Sequence, residues 1–108
     1  MRIDTDFRSY DGIFLRVAKY AADGSVCLQA WNYEDGPIAT LTVCLDGKQL
    51  GENETYLDTN NCPWVRRFME KYGLATMTGK FRPSGYCIYP AAKIHMNEVM
   101  KHLFVEEE

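Results

Sequence analysis

The sequence predicts an α+β fold, in which an antiparallel β-sheet of about four to six strands opens with a meander and carries one or two α-helices. Three observations lead to this prediction. The first half alternates apolar and polar residues between clusters of turn-forming residues. Two later segments repeat apolar residues at i, i+3, i+4 and i+7, which is typical of helices. The chain of 108 residues is 46% hydrophobic, which is enough to bury the core of one domain.

The first three strands are expected to form the meander. Gly12–Tyr20 is rich in β-branched and aromatic residues, and Val26–Trp31 returns after the pair Asp23-Gly24, a strong hairpin signal. Ile38–Leu45 shows the clearest alternation and follows a turn cluster at 32–37. These three segments therefore predict a three-stranded antiparallel meander.

The second half begins with a polar connection, a short strand at Thr55–Leu57 and then a helix. Asn60 and Asn61 are good candidate N-caps for this helix. Its apolar stripe consists of Val65, Phe68, Met69 and Tyr72. Gly73 follows as a left-handed stop, so the helix is expected to end there.

The remaining elements are expected to be shorter. Leu74–Thr78 and Tyr86–Tyr89 predict two strands around a loop at Gly79–Gly85, and Pro90 ends the second strand or places it at an edge. A last helix is expected over about His95–Phe104.

The chain is expected to form one domain over residues 1–108, because no repeat, linker or change in composition divides it. The lead-in at 1–11 and the acidic tail at 105–108 are expected to be loosely ordered. No apolar run approaches the roughly 20 residues of a membrane helix, and no basic-then-apolar leader opens the chain. The composition also excludes collagen-like and intrinsically disordered proteins. The sequence therefore predicts a cytoplasmic protein with no membrane partner.

Charge is distributed unevenly along the chain. Residues 1–62 carry ten acidic and five basic side chains, whereas residues 63–104 carry two acidic and seven basic ones. A basic second half can bind nucleic acid, or it can simply neutralise the acidic first half within one domain. The candidate cations are Arg66, Arg67, Lys71, Lys80 and Arg82. Trp64 and Tyr33 are candidates for a protein interface, since aromatic side chains in loops can anchor a partner.

The four cysteines are expected to be free thiols, because the chain has neither a C-x-x-C pair nor a secretion signal. Cys62 is the candidate reactive thiol, since a position at a helix N-terminus lowers a thiol pKa. A base would have to be His95 or His102. These histidines are seven residues apart, which is a poor spacing for a shared metal ion. No cofactor is expected, and Gly79–Gly85 lacks the pattern of a phosphate-binding loop.

Several blocks of the sequence resemble a family of small proteins catalogued as a domain of unknown function, number 4313 in its series. The blocks are Pro37–Val43, Asp58–Trp64, Thr78–Lys80, Pro83–Cys87 and Tyr89-Pro90, and the resemblance covers roughly Gly12–Ile94. It implies that similar proteins are carried by bacterial plasmids, conjugative elements and phages. It implies no chemical mechanism.

Three functions remain open from the sequence. The first is a non-catalytic accessory protein that binds another protein, one form of which is an inhibitor of a host-defence protein. The second is a nucleic-acid-binding accessory factor that uses the basic second half. The third, a small enzyme built on Cys62, is the least favoured because no acid, base, metal or nucleotide site accompanies the thiol.

Overall fold

A computed structural model of the chain describes residues 1–45 and 50–103. The α+β class is confirmed, with nine strands and two helices in this described part. All strand pairs are antiparallel. The strands are β1 (Ile3–Asp4), β2 (Ser9–Tyr10), β3 (Phe14–Lys19), β4 (Val26–Asn32), β5 (Gly36–Thr40), β6 (Thr42–Val43), β7 (Glu54–Leu57), β8 (Ala75–Ser84) and β9 (Cys87–Ile94). The helices are α1 (Val65–Lys71) and α2 (Met96–Met100).

The strands form three sheets rather than one. The first is the hairpin β1-β2, the second is the meander β3-β4-β5, and the third has the order β6-β7-β9-β8. The main core contains buried side chains from the first hairpin, from both larger sheets and from both helices. A smaller cluster of Tyr56, Tyr89 and Ala91 is buried within the third sheet.

The predicted meander is confirmed. Phe14 pairs with Trp31 and Lys19 pairs with Val26, so β3 and β4 run antiparallel over their whole length. Gly24 has a φ of 73°, a left-handed conformation that glycine adopts without strain in a tight turn. The alternation along β4 buries Val26, Leu28 and Ala30 on one face.

The prediction of one strand over Ile38–Leu45 is wrong. The chain leaves the meander after β5 and enters the third sheet as β6. Leu41 lies at this change of sheet, where its N–H donates to the Leu28 carbonyl at 2.8 Å and its carbonyl accepts from the Asp58 N–H at 2.9 Å. Leu41 and Thr42 are both buried, which breaks the alternation that a single strand would keep.

Helix α1 has the predicted apolar stripe and the predicted end. The Leu74 N–H donates to the Met69 carbonyl at 2.8 Å, and the Gly73 N–H donates to the Glu70 carbonyl at 3.2 Å. These two bonds form a Schellman motif, in which Gly73 has a φ of 65°. The stripe packs into the main core through buried Val65, Phe68 and Met69.

The start of α1 differs from the prediction. Trp64 is the N-cap and makes no side-chain capping bond, so Asn60 and Asn61 are not the caps. Asp58 instead organises the preceding turn, because its carboxylate accepts from the Asn61 backbone N–H at 3.2 Å and from the Asn61 side chain at 2.9 Å. An Asx-type turn, rather than a helix cap, therefore leads into α1.

Replacing Gly73 with alanine is expected to lower the free energy of unfolding by about 1 kcal/mol, because an L side chain is strained at this positive φ. A Cβ at this position would have no neighbour within 4 Å, so the loss would come from the backbone alone. Thermal unfolding measures it. Lys71→Ala, at an exposed helical position, serves as the control and should change stability by less than about 0.5 kcal/mol. Equal melting temperatures for Gly73→Ala and the wild type would contradict the assignment.

The prediction of a loop at Gly79–Gly85 is also wrong. Strand β8 continues to Ser84 after a register shift between Met77 and Phe81, and Gly79, with a φ of 85°, lies within this shift. The turn to β9 begins at Gly85, which has a φ of 60°, as type II′ hairpin turns require at their first central position. Pro90 lies inside β9 and does not end it. The loop was predicted from glycine and proline alone, whereas this segment forms part of a long hairpin of β8 and β9.

The two ends of the described chain pack against the meander. The expected loose lead-in contains the β1-β2 hairpin, and Ile3 is only 1% exposed. Helix α2 ends at Met100, earlier than predicted, because the Leu15 N–H bonds to the His102 carbonyl at 2.7 Å and Leu103 forms a bridge with Leu15. Phe104 and the predicted tail at 105–108 lie outside the described residues.

Candidate binding groove

A groove of about 520 Å³ lies between the β1-β2 hairpin, strand β5 and the segment that leads into α1. We call it the hairpin groove. Its lining residues come from the hairpin region 4–10, from Ile38 and Ala39, and from the segment 61–67. Three parts of the chain that are distant in sequence therefore build it.

The hairpin wall is held by a small set of polar bonds. The Asp4 carboxylate accepts from Ser9 Oγ at 2.7 Å and from Arg2 Nε at 2.8 Å. These bonds lower the pKa of Asp4, with Ser9 as the largest cause. Thr5 Oγ1 accepts from the Phe7 N–H at 3.2 Å and shapes the turn. Phe7 is left at the tip of the hairpin with 97% of its surface exposed.

Arg8 connects the hairpin to the turn before β5. Its guanidinium lies 3.3 Å from the Asp35 carboxylate and 4.4 Å from the centre of the Tyr10 ring. Tyr33, in the same turn as Asp35, is exposed and packs its ring 5.1 Å from that of Phe14. Tyr33, a predicted interface residue, therefore lies in the turn that is tied to the hairpin.

The helix wall contains two of the predicted site residues, Trp64 and Arg67. The half-buried Trp64 packs edge-on against Phe68, with ring centres 6.1 Å apart. Arg67 is exposed, and within residues 1–45 and 50–103 no carboxylate forms an ion pair with it. The neighbouring Arg66 instead forms an ion pair with Glu70, one helical turn further along α1, at 2.9 Å.

Cys62 lines the groove as a buried thiol, with 4% of the residue exposed. Its Sγ lies 3.7 Å from the Thr40 carbonyl oxygen, to which it donates a hydrogen bond. Burial and, to a smaller extent, the charge of Asp58 raise the pKa of Cys62 to about 11. This direction is opposite to the one expected from a helix N-terminus. The expected effect is absent because α1 begins only at Val65 and desolvation dominates.

The other predicted cations lie outside the hairpin groove. Lys71 borders a small adjoining cavity and lies over the Tyr72 ring at 5.3 Å. Lys80, on β8, forms an ion pair with Glu54 at 3.1 Å. Arg82 is also on β8, opposite Tyr89 in the hairpin register. The predicted basic set is therefore divided between α1 and β8.

A second exposed surface lies on the far half of the β8-β9 hairpin. Phe81 pairs with Pro90 and Pro83 with Ile88, so these residues share one face. Phe81 is 61% exposed and Ile88 is 64% exposed, and Tyr86 at the tip is fully exposed. We call this surface the arm face.

The sequence alone missed the hairpin part of the groove. Phe7 and Tyr10 lie in strands and turns too short to give a periodic pattern, and their only signal was the presence of two aromatic residues in a polar lead-in. Ile38 and Ala39 were recognised as strand residues, but their position at an edge depends on the order of strands.

The chemistry that the hairpin groove offers is binding. Its walls combine aromatic rings with the cation of Arg67, and its thiol is protonated at neutral pH. Within the described residues, no group of three or more histidine, cysteine, aspartate or glutamate side chains is arranged to hold a metal ion. Neither of the helices described has the length and apolar character needed to cross a bilayer.

Comparisons with known proteins identify the family. Searches of curated proteins and of solved structures found no match. A family model described as Domain of unknown function (DUF4313) matches residues 14–106, which include β5, α1 and the β8-β9 hairpin. Since this match extends over most of the chain, the protein belongs to the DUF4313 family.

Proposed function

We propose that the protein is a non-catalytic binding module that engages another protein through the hairpin groove. The observation that carries this proposal is the groove itself, about 520 Å³ with Phe7, Tyr10 and Trp64 on its walls and Arg67 beside them. Aromatic residues and arginine are enriched at protein interfaces and dominate their binding energy.

The non-catalytic part of the proposal is supported by Cys62. A nucleophilic cysteine needs a thiolate, and the raised pKa keeps this thiol protonated near neutral pH. Its hydrogen bond to the Thr40 carbonyl is a structural contact between the segment that leads into α1 and strand β5. Cys62 therefore has a packing role in this proposal.

The proposal extends to the biological setting. The family resemblance supports an accessory protein of a bacterial mobile element or phage, acting in the cytoplasm. One specific form is an inhibitor that covers the surface of a host-defence nuclease. A groove that binds without chemistry is compatible with such a role, since an inhibitor acts by occupying a surface.

Nucleic acid is the alternative partner, and the ion pairs of the basic residues weigh against it. Phosphate binding requires cations that can exchange counterions for phosphates. Arg66 and Lys80 already form pairs with carboxylates, and the cations are divided between two elements. Protein binding is therefore favoured over DNA binding.

Photocrosslinking tests the proposal. The protein is expressed in a bacterial host with the photoreactive amino acid benzoylphenylalanine in place of Phe7. We expect one discrete crosslinked adduct, in which mass spectrometry identifies a partner protein. Trp64→Ala should remove this adduct, because losing a buried aromatic anchor costs an interface about 2 kcal/mol or more, roughly 30-fold in affinity. The same crosslinker in place of Tyr86 is the matched control, since both are fully exposed aromatic residues at hairpin tips.

Two results would contradict the proposal. Adducts from position 86 but not from position 7 would assign binding to the arm face instead of the groove. Submicromolar affinity for duplex DNA at physiological salt, lost in the variant Arg66→Glu/Arg67→Glu, would establish the nucleic-acid alternative. We expect the wild type to show no salt-sensitive retention on DNA.

A further inference from the structure

We infer that the occupant of the hairpin groove is a short linear segment of the partner protein, which places one carboxylate against Arg67 and an apolar side chain against Trp64. This inference rests on the proposed function and specifies the chemistry of the partner.

Strand β5 contributes Ile38 and Ala39 to the wall of the groove. It is poorly suited to pairing with an added strand, because Pro37 has no backbone N–H and Gly36, with a φ of 75°, is not extended. The partner segment therefore packs against this wall without extending the meander by a further strand.

Two contacts limit the length of the bound segment. At one end, the Arg8–Asp35 pair connects the hairpin to the turn before β5. At the other end, Cys62 Sγ bonds to the carbonyl of Thr40, the last residue of β5. Between these two contacts β5 offers Ile38 and Ala39 to the groove, so the bound segment is only a few residues long.

The charged residues of the groove determine which side chain of the partner segment binds there. Asp4 is held by Arg2 and Ser9, and Arg8 is held by Asp35. Arg67, on the helix wall beside Trp64, has no such ion pair within the described residues and can bind a carboxylate through two parallel N–H donors.

Asp6 limits where that carboxylate can lie. It is an exposed carboxylate on the hairpin wall and disfavours a second acid on that side. The geometry therefore favours one Asp or Glu facing the helix wall, next to an apolar residue that covers Trp64.

A displayed library of random linear 12-residue peptides is the probe. The wild-type protein is expected to select peptides with a single Asp or Glu beside an aromatic or aliphatic residue. Arg67→Glu should raise the Kd of a selected acidic peptide at least about 10-fold and shift selection toward Lys or Arg, because like charges are juxtaposed. Arg66→Glu is the matched control, since Arg66 is the adjacent arginine, pairs with Glu70 and does not line the groove.

Four results would overturn the inference. The first two are a failure to select any peptide and the selection of peptides without an acidic residue. The third is an equal loss of peptide affinity for Arg67→Glu and Arg66→Glu, and the fourth is sedimentation showing that the wild type forms a dimer which Arg67→Glu dissociates. In the last case the occupant is a second copy of the chain. Crosslinking from position 7 separates a failure of this inference from a failure of the proposed function. If any of the first three results occurs but position 7 still gives a protein adduct that depends on Trp64, the inference is wrong and the proposed function stands.

Discussion

Leu41→Ala is expected to lower the free energy of unfolding by about 3 kcal/mol, within the 2–5 kcal/mol range of buried leucine truncations. Leu41 has no exposed surface and lies where the chain passes from the meander to the third sheet. Its backbone bonds to Leu28 and Asp58 do not involve the side chain, so the loss comes from packing between the two sheets. Because each kcal/mol shifts the melting temperature of a domain of this size by about 4 °C or more, a decrease above 10 °C is expected in thermal unfolding.

The control for this prediction is Leu41→Met, which nearly conserves volume and should cost less than about 1.5 kcal/mol. If Leu41→Ala lowered the melting temperature no more than Leu41→Met, the side chain would not lie in a close-packed core. In that case the change of sheet at Leu41 would also be in doubt.

The second large effect concerns the reactivity of Cys62. With a pKa of about 11 instead of 9.0, the fraction of thiolate at pH 8 is about 100-fold lower than for an ordinary thiol. Iodoacetamide should therefore modify Cys62 in the native protein at least about 100-fold more slowly than it modifies a small thiol, and burial slows the reaction further. Peptide mass mapping against time measures this rate.

The half-buried cysteines provide the internal comparison. Cys87 is more accessible than Cys62 and should react earlier in the same sample. Under denaturing, non-reducing conditions we expect four adducts per chain, one for each free thiol. If iodoacetamide modified Cys62 in the folded protein as fast as it modifies a small thiol, this result would support the hypothesis of an enzyme built on Cys62.

The sign of the pH dependence follows from the same pKa. The unfolded thiol ionises near 9.0, whereas the folded thiol ionises near 11. A group whose pKa is raised on folding contributes its full stability below the unfolded value and loses it as pH rises toward the folded value. The contribution of Cys62 is therefore constant at neutral pH and decreases between about pH 9 and pH 11.

The main support for the binding hypothesis is that residues from separate elements lie together around the hairpin groove. The sequence identified Trp64 as a candidate interface residue and Arg67 as a candidate cation, and the fold places both on one wall of the hairpin groove. Tyr33 lies in a turn connected to the opposite wall through Asp35 and Arg8. The arm face is a separate surface, built from a different hairpin. The protein therefore has two candidate surfaces that experiments can address independently.

The sequence alone determined the elements whose causes are local. The meander follows from alternation and a tight Asp-Gly turn, and the end of α1 follows from Gly73, whose left-handed conformation closes a motif within a few residues. The family was also recognisable from the sequence, and the match over residues 14–106 confirms it. These features depend on neighbours along the chain, so a pattern of a few residues contains their physical cause.

Only the tertiary structure decided the features that depend on distant neighbours. Leu41 changes sheets because Leu28 and Asp58 bond to its backbone, and β8 continues past Gly79 because β9 pairs with it. The hairpin groove combines three separate segments, and the pKa of Cys62 depends on the burial that they provide. Strand order, burial and the position of Arg67 beside Trp64 are set by which segments pack together. Periodicity in the sequence does not encode that information, because it reports which face of an element is apolar and not what covers it.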